Sequence, residues 1–203
     1  VSSADPRAGS EWRSCEEEDA VAVDRELMAQ VQAGDEAALG RLMERWERPV
    51  KAVIGRLVGN AAEAEELAQE AFVRLWQQRD RFRGGAEFRP WMLSLALNLA
   101  RNRLRWWRRR PLVALEEWTI LPPSAMADGA EALEARERAE AVRAAVAALP
   151  LEQREALVLF EYEGLGQAEI AVIAGATPKA VERRLERARA ALRVSLARWL
   201  RRA

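Results

Sequence analysis

The chain has 203 residues, with 32 basic and 32 acidic side chains, no histidine and one cysteine. Without histidine, Ser-His and Cys-His catalytic pairs and most zinc sites are excluded. Cys15 alone cannot close an internal disulfide, which fits a reducing compartment. Half of the residues are hydrophobic and Ala, Leu, Glu and Arg dominate, so an all-α fold with a sizeable core is expected. No catalytic residue, metal site, cofactor or small-molecule substrate is expected. There is no basic-then-apolar leader pattern and no apolar run near the roughly 20 residues that span a bilayer, so a soluble, cytoplasmic chain is expected.

The net charge of zero hides a block pattern. Residues 1–35 carry −6, 36–80 carry −1, 81–110 carry +8, 111–165 carry −7 and 166–203 carry +6. Two basic blocks point to two contacts with a polyanion. Chance segregation in an Arg/Glu-rich chain is the alternative.

Residues 1–22 read as an acidic tail, disordered over 1–19, with Pro6 and Gly9. A short helix is predicted near Val21–Ala33, with Asp24 as a possible cap and Gly34 as its stop. Asp35 then caps a helix to about Val58, whose Leu39, Leu42, Met43, Trp46, Val50, Val53, Ile54 and Leu57 share one face. Pro49 falls inside it and predicts a kink or break near Arg48. A helix over about Ala61–Arg79 follows, with Ala64, Leu67, Ala68, Ala71, Phe72 and Leu75 inward and Glu65, Glu66, Gln69, Glu70 and Arg74 outward. The stretch RFRGGAEF is a turn.

Phe88–Arg110 is the most informative segment. Ser94, Asn98, Arg101, Arg105 and Arg108 form one polar stripe at helical spacing, while Trp91, Met92, Leu95, Ala96, Leu99 and Leu104 fill most of the remaining circumference. A cationic stripe flanked by indoles suits a phosphate backbone and unpaired bases; a solvated arginine face on a core helix is the other reading. Trp91 reads as structural, with Trp106 and Trp107 open.

Pro111 stops that helix, and 111–130, with Pro122, Pro123 and Gly129, read as a flexible linker. A second helical unit occupies 131–203. Leu133, Val142, Val146 and Leu149 supply its first helix, and Leu151–Tyr162 the next. A short helix over Gln167–Ala174, a turn at Gly175-Ala176-Thr177 and a helix opening on Pro178 then describe a helix-turn-helix. Val181, Leu185, Ala188 and Leu192 face inward, and Lys179, Glu182, Arg183, Glu186 and Arg187 outward. An ordinary αα-hairpin gives a similar pattern.

The segment AEAEELAQEAFVRLWQQRDRFRGGAEFRPWMLSLALNLARNRLR resembles region two of bacterial RNA polymerase sigma factors of the extracytoplasmic-function (ECF) group. LPLEQREALVLFEYEGLGQAEIAVIAGATPKAVERRLERARAALR resembles region four of the same group. The resemblance implies two helical domains, a region-two bundle over 23–110 and a region-four helix-turn-helix domain over 131–203, joined by the linker. It implies binding to core RNA polymerase and promoter DNA, and an anti-sigma factor that could hold the chain at the membrane. Minus-ten recognition would fall to Phe88, which would wall a pocket for a flipped base, with Asn98 and the phosphate-holding Arg101, Arg105 and Arg108. Minus-thirty-five recognition would fall to Lys179, Arg183, Arg184 and Arg187. Polymerase docking would fall to Glu65, Glu66, Gln69 and Glu70.

The family usually has a cation where Glu182 stands; Glu186 is also acidic, and Gly166 replaces the usual Ser/Thr cap. These departures bear on minus-thirty-five sequence and affinity. Glu116, Glu117 and Asp128 could mimic an RNA phosphate chain, or form a plain acidic linker. Two rival readings of the whole chain are a helix-turn-helix regulator acting without polymerase and a helical interaction adaptor.

Overall fold

The computed structural model describes residues 8–83, 86–109 and 130–200, and all their regular structure is helical. Residues 111–129 of the expected linker, and with them Glu116, Glu117 and Asp128, lie outside the described residues, as does the start of the tail, while Ala130 already belongs to a helix.

The first unit packs four helices: α1 (Ala8–Gln32), α2 (Glu36–Val58), α3 (Ala61–Gln77) and α4 (Phe88–Arg108). Helix α1 begins well before the expected Val21, so the tail is helical from Ala8. After Gly9 no glycine or proline interrupts it until Gly34, and alanine and glutamate favour continuation. Asp24 is correspondingly no cap. It is buried in mid-helix, accepting Arg45 Nε at 2.8 Å and Trp46 Nε1 at 3.0 Å, and so fastens α1 to α2.

Asp35 does cap α2, its Oδ1 accepting the amides of Ala37 at 2.8 Å and Ala38 at 3.1 Å. No break occurs at Pro49; α2 runs through it. Gly59 closes the helix in the left-handed region (φ 75°), a conformation that strains other residues. Asn60 then caps α3 by accepting the Glu63 amide at 3.0 Å. All six inward residues expected on α3 are buried. A 3₁₀ turn, Arg79–Arg81, leads toward α4, and Gln32 of α1 clasps it by donating to the carbonyls of Arg79 and Phe82.

The second unit contains α5 (Ala130–Ala147), α6 (Leu151–Leu157), α7 (Gln167–Ala174), α8 (Pro178–Ser195) and α9 (Ala197–Leu200). Helix α6 ends in a π-helical turn, Val158–Tyr162. Gly175 (φ 64°) turns the chain between α7 and α8, and Thr177 caps α8 by accepting the Ala180 amide at 3.2 Å. Gly166 has no capping side chain; Glu169 reaches back instead and accepts the Gly166 amide at 2.7 Å. Val181, Leu185 and Ala188 are buried as expected. Leu133 is instead exposed, so it adds nothing to the core.

The two units share one hydrophobic core. A continuous buried cluster joins Met28, Leu42, Ile54, Leu67, Met92 and Leu97 of the first unit to Leu159, Ile170, Ile173 and Val181 of the second. Helix α4 packs against α7, which places the basic helix of the first unit directly beneath the helix-turn-helix of the second.

Candidate nucleic-acid interface

Helix α4 is buried over a wider arc than its periodicity predicts. Leu93, Leu97 and Ala100 join Phe88, Met92, Leu95, Ala96 and Leu99 in the interior. The stripe between them carries Asn98, Arg101, Arg105 and Arg108, which line a cleft of about 700 Å³. Its opposite wall is the second unit, including Glu152 and Glu155 of α6 and Arg184 and Arg187 of α8. Asn98, Arg101, Arg105 and Arg108 of the minus-ten candidates and Arg184 and Arg187 of the minus-thirty-five candidates thus meet in one cleft, an arrangement invisible in the sequence; Phe88, Lys179 and Arg183 do not line it.

Their surroundings differ. Asn98, Arg105 and Arg108 are exposed. Arg105 donates to Asn102 Oδ1 at 2.6 Å, a solvent-facing bond within its own helix. Arg101 is taken: its Nε and Nη2 donate to the two carboxylate oxygens of Glu155 at 2.7 and 2.6 Å. The hydrogen bond to Glu155 raises the Arg101 pKa above its ordinary value, against the opposing effect of burial. On α8, Lys179, Arg183 and Arg187 are exposed with Glu182 and Glu186 among them, whereas Arg184 pairs with Glu152 at 2.7 Å.

Phe88 requires a correction. It is 2% exposed, edge-on to Trp46 at 5.5 Å and Phe82 at 6.4 Å, and tilted against Trp91 at 6.3 Å. A ring enclosed by three others has no face for a base, so Phe88 fixes the start of α4 by packing. Burial also settles the tryptophans. Trp91 belongs to the same aromatic cluster, 5.2 Å from Phe82, and Trp107 packs against the core. Trp106 lines a groove between α3 and α4 with Leu67, Glu70, Arg74 and Arg103.

The acidic row on α3 is present, but its charges are largely matched within the unit. Lys51 pairs with Glu65, Arg74 with Glu70 at 2.7 Å, and Arg103 with both Glu63 and Glu66, the latter at 3.0 Å; Gln69 is exposed. Burial, with a contribution from Glu66, holds the Glu63 carboxyl above its ordinary pKa despite the opposing charge of Arg103. Among the described residues no group of acids or cysteines has the geometry of a metal site.

One residue that composition did not single out is Arg154. Though buried, it donates to three carbonyls, those of Leu57 at 2.5 Å, Leu149 at 3.1 Å and Ala147. These sit at the ends of α2 and α5, where helix carbonyls lack intrahelical partners and the macrodipole favours a cation. Burial, then the nearby charge of Arg108, lowers its pKa.

Two helical units, each presenting a cation-rich helix and one of them a helix-turn-helix, define a DNA-binding transcription factor. The family described as Sigma-70 region 2 matches residues 42–110, and Sigma-70, region 4 matches residues 139–192. The chain is 33% identical over 187 residues to the RNA polymerase sigma-H factor of Pseudomonas aeruginosa, covering 89% of this chain and 97% of that one. It is 30% identical over 176 residues to the ECF RNA polymerase sigma-E factor of Escherichia coli K12, covering 83% and 92% respectively. It is also 36% identical over 169 residues to the probable RNA polymerase sigma factor RfaY of Xanthomonas campestris, covering 81% of this chain but only 42% of that longer protein. The solved structure of CnrH with the cytosolic domain of CnrY superimposes with a TM-score of 0.64 at 28% identity, over 86% of this chain and 97% of that one. The chain therefore belongs to the sigma-70 family of RNA polymerase sigma factors, in its ECF group.

Proposed function

We propose that this chain works as an ECF sigma factor: it binds core RNA polymerase, recognises promoter DNA in two places and promotes initiation. The carrying observation is the order of parts: a region-two unit ending in the cationic helix α4, then a region-four unit whose α8 follows a helix-turn-helix turn. In this reading the family's domains correspond to 23–110 and 131–203. Asn98 offers hydrogen-bonding edges to an unpaired base of the minus-ten element, and Arg101, Arg105 and Arg108 hold its phosphates. Stacking of about 1–3 kcal/mol per base offsets unpairing costs of a few kcal/mol. With Phe88 buried, that stacking surface belongs to other groups. Lys179, Arg183, Arg184 and Arg187 read or hold the minus-thirty-five duplex. Glu182 and Glu186 among them disfavour phosphate and suit cytosine N4, so they restrict sequence more than they add affinity.

The chain itself would perform no catalysis; the chemistry of RNA synthesis would belong to polymerase. Its site of action would be the cytoplasm. Docking on polymerase would use Glu65, Glu66, Gln69 and Glu70, with Lys51, Arg74 and Arg103 exchanging their internal partners for the basic surface of polymerase. Structures of relatives hold CnrH with CnrY and the sigma factor RpoE with the anti-sigma factor NepR. By that likeness an anti-sigma partner is proposed here.

The test is a purified transcription assay with core polymerase, this chain and genomic promoter fragments. Specific initiation is expected. Removing Arg105 and Arg108 together should weaken promoter binding and lower the slope of log K against log salt by about 0.7–0.9 for each phosphate no longer engaged, with core binding unchanged. Absence of specific initiation would defeat the reading. It would favour the helix-turn-helix regulator, which leaves the α3 row and the α4 stripe without a task.

A further inference from the structure

The cleft between α4, α6 and α8 carries more positive charge than the chain neutralises. Its volume is about 700 Å³, and five arginines line it: Arg101, Arg105 and Arg108 from α4, Arg184 and Arg187 from α8. Two carboxylates line it as well, and both are already engaged. Glu155 accepts Arg101 at 2.7 and 2.6 Å, and Glu152 pairs with Arg184 at 2.7 Å. Among the described residues no carboxylate pairs with Arg105, Arg108 or Arg187. Arg105 donates only to neutral oxygens, Asn102 Oδ1 and the Arg101 carbonyl.

Arg154 adds to this field. In sequence it lies between the lining residues Gln153 and Glu155, it is buried, and it gives its donors to main-chain carbonyls. Burial first and then the charge of Arg108 lower its pKa, so the two cations already repel and an anion beside Arg108 relieves that repulsion. Unmatched cations set in low-dielectric walls focus their field into the cleft between them. Three guanidinium forks around one space suit several phosphate oxygens better than a single carboxylate.

The rest of the lining is not built for phosphate alone. Pro150, Leu151 and Ala174 give the cleft an apolar surface, and Asn98 and Gln153 bring carboxamides, each with a donor and an acceptor. A flat heteroaromatic ring with polar edges uses both kinds of surface; an inorganic anion uses neither. At about 700 Å³ the space falls in the range of small-ligand sites, large enough for a mononucleotide and too small for a duplex.

We propose that the cleft is a binding site for a nucleoside polyphosphate, with Arg105, Arg108 and Arg187 on its phosphates and Pro150, Leu151, Asn98 and Gln153 on its base. This goes beyond the sigma-factor reading and does not depend on it. Because Arg105 and Arg108 serve promoter DNA in that reading, nucleotide and promoter would exclude each other there.

Isothermal titration calorimetry of the full chain, without polymerase or DNA, tests the site. The probes are the four ribonucleoside triphosphates, their nucleosides, inorganic tripolyphosphate and a DNA hexanucleotide of random sequence. At least one triphosphate should bind at one site per chain, about tenfold more tightly than tripolyphosphate, with no binding of its nucleoside in the same range. Arg108→Ala and Arg187→Ala should each weaken it about tenfold. Arg193→Ala removes the same charge from an exposed position of α8 outside the cleft and should leave the affinity at the wild-type value. Circular dichroism verifies that each variant folds. No saturable binding of any triphosphate, or equal weakening by Arg193→Ala, would overturn the site. Tripolyphosphate bound as tightly as the nucleotide would remove the base from the proposal. A hexanucleotide that binds more tightly, with the same dependence on Arg187, would assign the cleft to nucleic acid instead. The transcription assay scores initiation by polymerase rather than binding to the free chain, so the two readings fail separately.

Discussion

Phe88 and Asn98 lie on the same helix in different environments. Phe88 is inside a cage of Trp46, Phe82 and Trp91, and Asn98 faces the cleft. Truncating Phe88 to alanine empties that cage and should cost about 3–5 kcal/mol of stability. Chemical denaturation would measure it as a lower midpoint with an unchanged slope. The loss of promoter binding should then follow the loss of folded protein. A variant that folds with wild-type stability yet fails to open promoter would restore a direct role for the ring. Asn98→Ala removes only an exposed amide, so its effect should fall on open-complex formation with stability unmoved.

At the scale of elements, the caps explain where helices begin without help from packing. Asp35 satisfies two of the four unpaired amides at the start of α2. Asp35→Ala should cost about 1 kcal/mol, or about 2–4 °C in thermal midpoint for a chain of this size, with DNA binding unaltered. A loss of core binding in that variant would mean that the cap also positions the α3 surface. Helix α4 shows the opposite control. It has no side-chain cap at its first turn, so its position comes from burial of Phe88, Met92, Leu95 and Leu99. Its exposed stripe is what remains after that packing, and the same packing turns Trp106 toward the α3 groove rather than toward Arg101 and Arg105.

Across the whole molecule, the continuity of the core carries a thermodynamic consequence. Because Ile170, Ile173 and Val181 are buried in the same cluster as Leu42, Ile54 and Met92, neither unit keeps its full buried surface when the other unfolds. The wild-type chain should therefore melt in one calorimetric transition, with calorimetric and van't Hoff enthalpies in agreement. Two resolved transitions would show that the units are independently stable and that the shared cluster contributes little.

The all-α fold, the order of the two units, the α3 core face, the Asp35 cap and the Gly34 stop (φ 92°) were legible in the sequence because each depends on local chemistry: periodicity, a capping oxygen or a left-handed backbone. The cationic residues of α4 and α8 were legible as charge for the same reason. What they face was not. Glu155 and Arg101 are far apart along the chain, and spacing within a helix carries no information about a partner on another unit. Nor could it show that Phe88 turns inward, that α1 starts at Ala8, or that the carboxylates of the α3 row already have cations. Local physics fixed which side chains could hold DNA. Only the packing of α7 on α4 decided that one of them, Arg101, is held by the chain itself.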